Sequence, residues 1–239
     1  MNIAIDAGNS RIKWGVHDGT GWLDSGVLAT ADVAWLSEAA DEWPVDARVM
    51  VCNVAGSEVA ATLSALLAGR HPRVSFLHAS AEACGVRNTY AFPGQLGADR
   101  WAALIGARAL LEHACLVVCA GTATTVDLLD ADGVFRGGLI LPGFDLMRAA
   151  LADNTAQLPL ADGVFRSEPR NTMDAIVSGC LQAQLGAVER MFAAIATAPG
   201  ARCLLTGGAA APLAVHLKIP FQLADNLILN GLVRYAESL

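Results

Sequence analysis

Three short stretches of this sequence group residues that could handle a phosphate and a proton. The first, "DAGNSRIK", runs through Asp6, Ala7, Gly8, Asn9, Ser10, Arg11, Ile12 and Lys13. A phosphate needs donors held close and in fixed directions. Gly8 lets the backbone approach without a Cβ in the way, Asn9 and Ser10 add side-chain donors, and Lys13 adds a cation. Asp6 repels phosphate but can bind Mg²⁺, often through water, and Mg²⁺ then binds phosphate. The second stretch, "AGTATTVD", repeats the scheme: Gly121 for close approach, Thr122, Thr124 and Thr125 as hydroxyl donors, and Asp127 as a second carboxylate. The third is "GADR", residues 97–100. There Asp99 could take a proton from a substrate hydroxyl, and Arg100 could stabilise a transferring phosphoryl group or hold a substrate carboxylate. Each stretch also has an ordinary reading. The turns could be plain hairpins whose Asp and Asn satisfy the backbone and whose threonines are β-formers, and Asp99 could merely cap a helix beside a solvated Arg100.

The elements that must position these residues repeat along the chain. "MNIAIDAG" reads as a strand, "RIKWGVHDG" as its hairpin partner ending in an Asp-Gly turn, and "GWLDSGVLA" as a third strand. "DVAWLSEAADEW" has helical spacing and "ARVMVCNVA" has the length and apolarity of a buried central strand. A helix with Ser57 as candidate N-cap, a strand "RVSFLHA", an irregular stretch over 84–97 and a strong helix "ADRWAALIGARALLEH" complete the first half. From residue 116 the order starts again: strand, glycine turn, strand, Asp-Gly turn, strand, then helices over 143–153 and 171–198, the latter capped by Asn171 or Thr172. A strand "ARCLLTGG" and a terminal helix close the chain. The recurrence of both glycine turns at equivalent places favours phosphate binding over two unrelated hairpins. It predicts an α/β protein of two similar domains, residues 1–115 and 116–239, facing each other across a nucleotide cleft. Neither GxxxxGK[ST] nor a GxGxxG after a first strand is present.

Bulk properties narrow the classes. The 239 residues are 54% hydrophobic and only 16% charged, which favours compact folding and surface buried in an oligomer. The helices over 101–112 and 176–196 are the candidate contacts. A net charge of −7 argues against nucleic acid as a partner. No apolar run approaches the ~20 residues that cross a bilayer, so no membrane is expected, and the start, which enters a strand with Asp6, does not read as a signal peptide. The six cysteines are scattered, without a CxxC pair, and read as reduced residues of a cytoplasmic protein.

In order and separation, "DAGNSRIK", "GADR" and "GTATTVD" resemble the type III pantothenate kinases. Further similarity lies in "GGLILPG" (137–143), "NTMDAIVSG" (171–179), "LLTGGAA" (204–210) and "DNLILNGL" (225–232), so the likeness covers nearly the whole chain. That family belongs to the acetate and sugar kinase/Hsp70/actin superfamily, two ribonuclease-H-like domains around an ATP cleft. The resemblance implies ATP-dependent phosphorylation of pantothenate by a homodimer whose pantothenate pocket is completed at the dimer interface. By motif it implies that Asp6 to Lys13, Gly121 and Thr122 contact ATP and that Asp6 and Asp127 serve Mg²⁺ through phosphates and water. It makes Asp99 the general base. Tyr90, Gly97, Ala98, Asp99, Arg100 and Thr172 would contact pantothenate, with Arg100 on its carboxylate. The glycines at 207 and 208 resemble an adenosine-side pair. One departure stands out. The family commonly has Asp before "AGT", linked to a K⁺ or NH₄⁺ requirement, whereas here that position is Cys119, a poor ligand for a hard cation. Two rival readings share these turns: a superfamily kinase acting on another hydroxyl, and a nonenzymatic ATP-binding regulator, since members of the family have been described as accessory factors in gene regulation.

Overall fold

The computed structural model of the chain describes residues 1–160 and 162–239. In chain order the elements are β1 (Asn2–Ala7), β2 (Arg11–His17), β3 (Trp22–Ala29), α1 (Leu36–Asp41), β4 (Arg48–Asn53), α2 (Ser57–Ala68), β5 (Val74–Phe76), β6 (Glu82–Ala83), β7 (Val86–Asn88) and α3 (Ala98–Leu110). There follow β8 (Cys115–Ala120), β9 (Ala123–Leu129), β10 (Val134–Pro142), α4 (Phe144–Asn154), α5 (Thr172–Phe192), β11 (Arg202–Thr206), α6 (Ala210–Ala214), β12 (Phe221–Leu223) and α7 (Leu227–Glu237). The chain divides into two compact units. One holds Met1–Glu112, Gly133–Phe135 and Asn226–Leu239; the other holds His113–Asp132 and Arg136–Asp225. The first unit thus also takes the C-terminal helix α7.

In the first unit, five strands lie in the order β3-β2-β1-β4-β5. β1 pairs antiparallel with β2 and parallel with β4. Alternation along β1 sends Ile3, Ile5 and Ala7 into a core with Leu36, Leu63 and Leu67 of α1 and α2. Asp6 therefore faces the other side of the sheet, which carries α7. The α3–α7 crossing depends on two glycines. A Cβ on Gly231 would collide with the Ala102 carbonyl, and one on Gly106 with the Leu227 carbonyl. Trp101 to Ala107 are enclosed here, so this part of the 101–112 helix is core rather than a free dimer surface.

The second unit carries the strands in the order β12-β11-β8-β9-β10. Counted from the start of each half, five strands of each sheet read 3-2-1-4-5, the second sheet having β7 and β6 beyond β10, and in both the first strand is antiparallel to the second and parallel to the fourth. Leu116, Val118, Val126, Leu128 and Leu205 pack against Leu181, Leu185, Val188 and Phe192 of α5. Some local expectations change. Gly56, at φ +98°, holds the N-cap of α2, and Ser57 is the first helical residue. α5 stops at Phe192, and turns continue to Ala198 ahead of Pro199, which disfavours helix at the residue before it. The 84–97 stretch is partly ordered by β7, which pairs with β6 and with Val134 and Phe135 of β10.

Candidate active site

The first glycine turn is built by its own backbone. The Gly8 N–H donates to the Arg11 carbonyl at 3.0 Å, closing the hairpin over exposed Asn9 and Ser10. Thr30, just after β3, fixes it, donating its hydroxyl to the Gly8 carbonyl at 2.7 Å and its N–H to the Ser10 carbonyl at 3.1 Å. Directly behind the turn, Asp6 lies opposite Lys13 on β2 and opposite Cys52 on β4. Burial pushes the Asp6 carboxyl up to about 7; the nearby Asp99 charge adds to this and Lys13 works against it. Burial also holds the Cys52 thiol well above its usual range, reinforced by Asp6 and Asp99, so it stays protonated and passive.

Asp99 stands in the first turn of α3, where the helix dipole favours a carboxylate. It accepts the Arg100 backbone N–H at 2.8 Å. Gly97 makes room for it, since a Cβ there would lie 2.6 Å from the Asp99 Oδ1. Arg100 is 4% exposed. Its Nη1 donates to the Tyr90 hydroxyl at 3.0 Å, and its guanidinium lies over the Tyr90 and Phe135 rings. The structure therefore brings Asp6, Lys13, Asp99, Arg100 and Tyr90 into one unit, with two carboxylates close enough to influence each other.

In the second unit, Gly121 repeats the first turn: its N–H donates to the Ala123 carbonyl at 3.0 Å. Thr122 is exposed at the tip, whereas Thr124 and Thr125 are buried and are not available as phosphate donors. Two other segments crowd this turn. The Gly143 N–H donates to the Thr122 carbonyl at 2.8 Å, and a Cβ on Gly143 would strike the Gly121 carbonyl. Gly207, at φ +101°, would strike the Ala120 carbonyl if it carried a Cβ, and the Ala209 N–H donates to that carbonyl at 3.0 Å. Gly143 and Gly207 thus form a close-packed backbone support for the Gly121 turn, each segment approaching where a Cβ would collide. Gly143 was not anticipated as part of it; its signal was the Pro-Gly pair just before a helix. Thr172 opens α5, its place fixed by Asn171, whose Oδ1 accepts the Asp174 N–H at 2.9 Å. Hydrogen bonds from the Val164 N–H and the Asn171 amide hold the Asp174 carboxyl below its usual range.

The metal expectations divide. Asp6 is a hard oxygen donor beside a phosphate-type turn and fits Mg²⁺. Asp127 is 0% exposed on β9, so it offers no accessible carboxylate to a hydrated ion. Among the described residues no group of three or more His, Cys, Asp or Glu could cage a metal. Cys119 pairs with Thr125 across the β8–β9 hairpin, and this thiol does not fit K⁺. Among the described residues, no helix is long and apolar enough to cross a membrane.

Solved structures repeat this architecture at low identity. A Campylobacter jejuni chain thought to be a Baf family transcriptional activator aligns with TM-score 0.66 and 20% identity, covering 99% of this chain and 98% of its own. A Sinorhizobium meliloti chain thought to be a 2-dehydro-3-deoxygalactonokinase aligns with TM-score 0.61 and 18% identity over 100% and 99%. The doubled 3-2-1-4-5 sheet, with a glycine hairpin opening each half, is a two-domain ribonuclease-H-like fold that these structures share. Within it, the type III pantothenate kinase family matches residues 2–194. A type III pantothenate kinase of Aromatoleum aromaticum is 60% identical over 237 residues, 99% of this chain and 98% of the relative. The chain belongs to the type III pantothenate kinase family and is a phosphotransferase.

Proposed function

We infer that this chain transfers the γ-phosphoryl group of ATP to the primary hydroxyl of pantothenate, giving 4′-phosphopantothenate, the first step toward coenzyme A. The observation that carries this reading is a buried Asp6 carboxylate behind the Gly8 turn, within electrostatic reach of Asp99, in a chain that matches the family along most of its length. In this reading the two carboxylates divide the work. Asp6 holds the metal side, and Asp99 orients the acceptor hydroxyl and takes its proton. Mg²⁺, when bound, neutralises charge on the β- and γ-phosphates. The N–H groups and side chains of the 8–13 turn, together with Gly121 and Thr122, hold the phosphates. Gly97 to Arg100, Tyr90 and Thr172 hold pantothenate, with the Arg100 guanidinium on its carboxylate. Little covalent work remains for the protein, so positioning dominates. The working form is a cytoplasmic homodimer, and the sequence halves 1–115 and 116–239 descend from a duplication, with α7 packed into the first unit.

A panel of acceptors tests the substrate. Pantothenate, sugars and short hydroxy acids are each offered with MgATP, and products are identified by mass. Pantothenate is expected to be the preferred acceptor; faster phosphorylation of a sugar would overturn the assignment.

A further inference from the structure

We infer that Asn88 is a positioning residue for the acceptor, acting through Tyr90 on Arg100; this rests on pantothenate being the acceptor with its carboxylate at Arg100. Asn88 ends β7 and is 7% exposed. Its side-chain amide is used from both ends. Nδ2 donates to the carbonyls of Ser80 at 3.3 Å and Pro93 at 3.1 Å, and Oδ1 accepts the Tyr90 N–H at 3.0 Å. One side chain thus ties both ends of the 80–93 segment to the residue whose hydroxyl receives Arg100.

The same strand sets the other wall. Asn88 lies opposite Phe135 in the β7–β10 register, and the neighbouring Thr89 hydroxyl donates to the Phe135 carbonyl at 2.6 Å. Tyr90 and Phe135 stand with ring centroids 5.4 Å apart, tilted by 38°. The Arg100 guanidinium carbon is 5.8 Å from the first ring centre and 5.7 Å from the second. Two ring faces and one hydroxyl therefore set the plane of the fork. A carboxylate reads a guanidinium by two parallel hydrogen bonds, so that plane decides how well it is bound.

The chemistry demands an amide at 88. Aspartate has the same shape and could still accept the Tyr90 N–H, but it loses both donors and turns a charge toward two carbonyl oxygens. Loss of such buried bonds is worth about one decade in binding. Asn88→Asp is expected to raise the pantothenate KM about tenfold and leave the ATP KM within about twofold. Tyr90→Phe should raise the pantothenate KM too. Because both act through the Tyr90 hydroxyl, the double variant should stay within about twofold of the poorer single one.

The experiment measures kcat and both KM values for the wild type, the two single variants and the double variant, with melting temperatures recorded beside them. Asn88→Ala, which brings no charge, carries the same expectation if Asn88→Asp does not fold. A pantothenate-specific and non-additive effect supports the positioning role. An unchanged pantothenate KM, an equal rise in the ATP KM, or additive effects in the double variant would overturn it and leave the kinase reading intact. Wild-type protein that does not phosphorylate pantothenate would overturn both.

Discussion

Asp6 and Cys119 are the residues whose environments lead to the sharpest chemical expectations. Asp6 is held up to about 7 by burial and by Asp99, against Lys13, so the folded state favours its neutral form. Its contribution to stability is fully present below the ordinary carboxylate value of 3.8 and is lost as pH rises through about 7. In metal-free protein, Asp6→Asn should therefore gain melting temperature relative to the wild type between pH 4 and pH 8. A difference that stays flat across that range would show that Asp6 is not so perturbed. At Cys119, turnover in K⁺ should differ little from turnover in Na⁺, and Cys119→Asp should introduce a K⁺ requirement. Full dependence on K⁺ in the unaltered protein would contradict this. Asp6, Gly8, Asp99 and Arg100 stand out in the sequence because phosphate and proton chemistry narrows the residue types that could serve. The burial of Thr124, Thr125 and Asp127 was not: a β-hairpin buried along most of its length shows no hydrophobic alternation that would mark its enclosed polar residues.

Among the elements, the strands and the major helices were legible because their period, turns and glycines agree. What escaped was short or decided by distant packing. β12 has three residues and α6 has five, too few for a periodic signal. The N-cap at Gly56 depends on a backbone conformation at φ +98°, while the sequence offered Ser57 next door. Gly231, inside α7, marks where that helix meets α3. Gly231→Ala forces the two helices apart against the Ala102 carbonyl and should cost about 1–3 kcal/mol, read from urea unfolding. A variant as stable as the wild type would mean that the crossing tolerates the extra methyl. Gly207→Ala acts elsewhere. It combines an unfavourable φ with a collision at Ala120, immediately before the Gly121 turn. It should raise the ATP KM more than the pantothenate KM in steady-state assays; a larger effect on pantothenate would remove Gly207 from the nucleotide side.

For the whole molecule, the duplication was visible in the sequence as repeated turn chemistry despite low identity between the halves, and the matching strand orders give that repeat a structural form. The return of α7 to the first unit was not visible, because a terminal amphipathic helix carries no mark of the surface it will cover. The rival readings separate at this scale, since a regulator that only binds ATP needs no acceptor and no base. The most direct test is the rate of ADP release in a coupled assay, with pantothenate present and absent, for the wild type and for Asp99→Asn. Release should depend on pantothenate, and Asp99→Asn should lower kcat by about two to four decades while ATP affinity changes little. ADP release indifferent to pantothenate, or near wild-type turnover without the Asp99 carboxylate, would contradict the account.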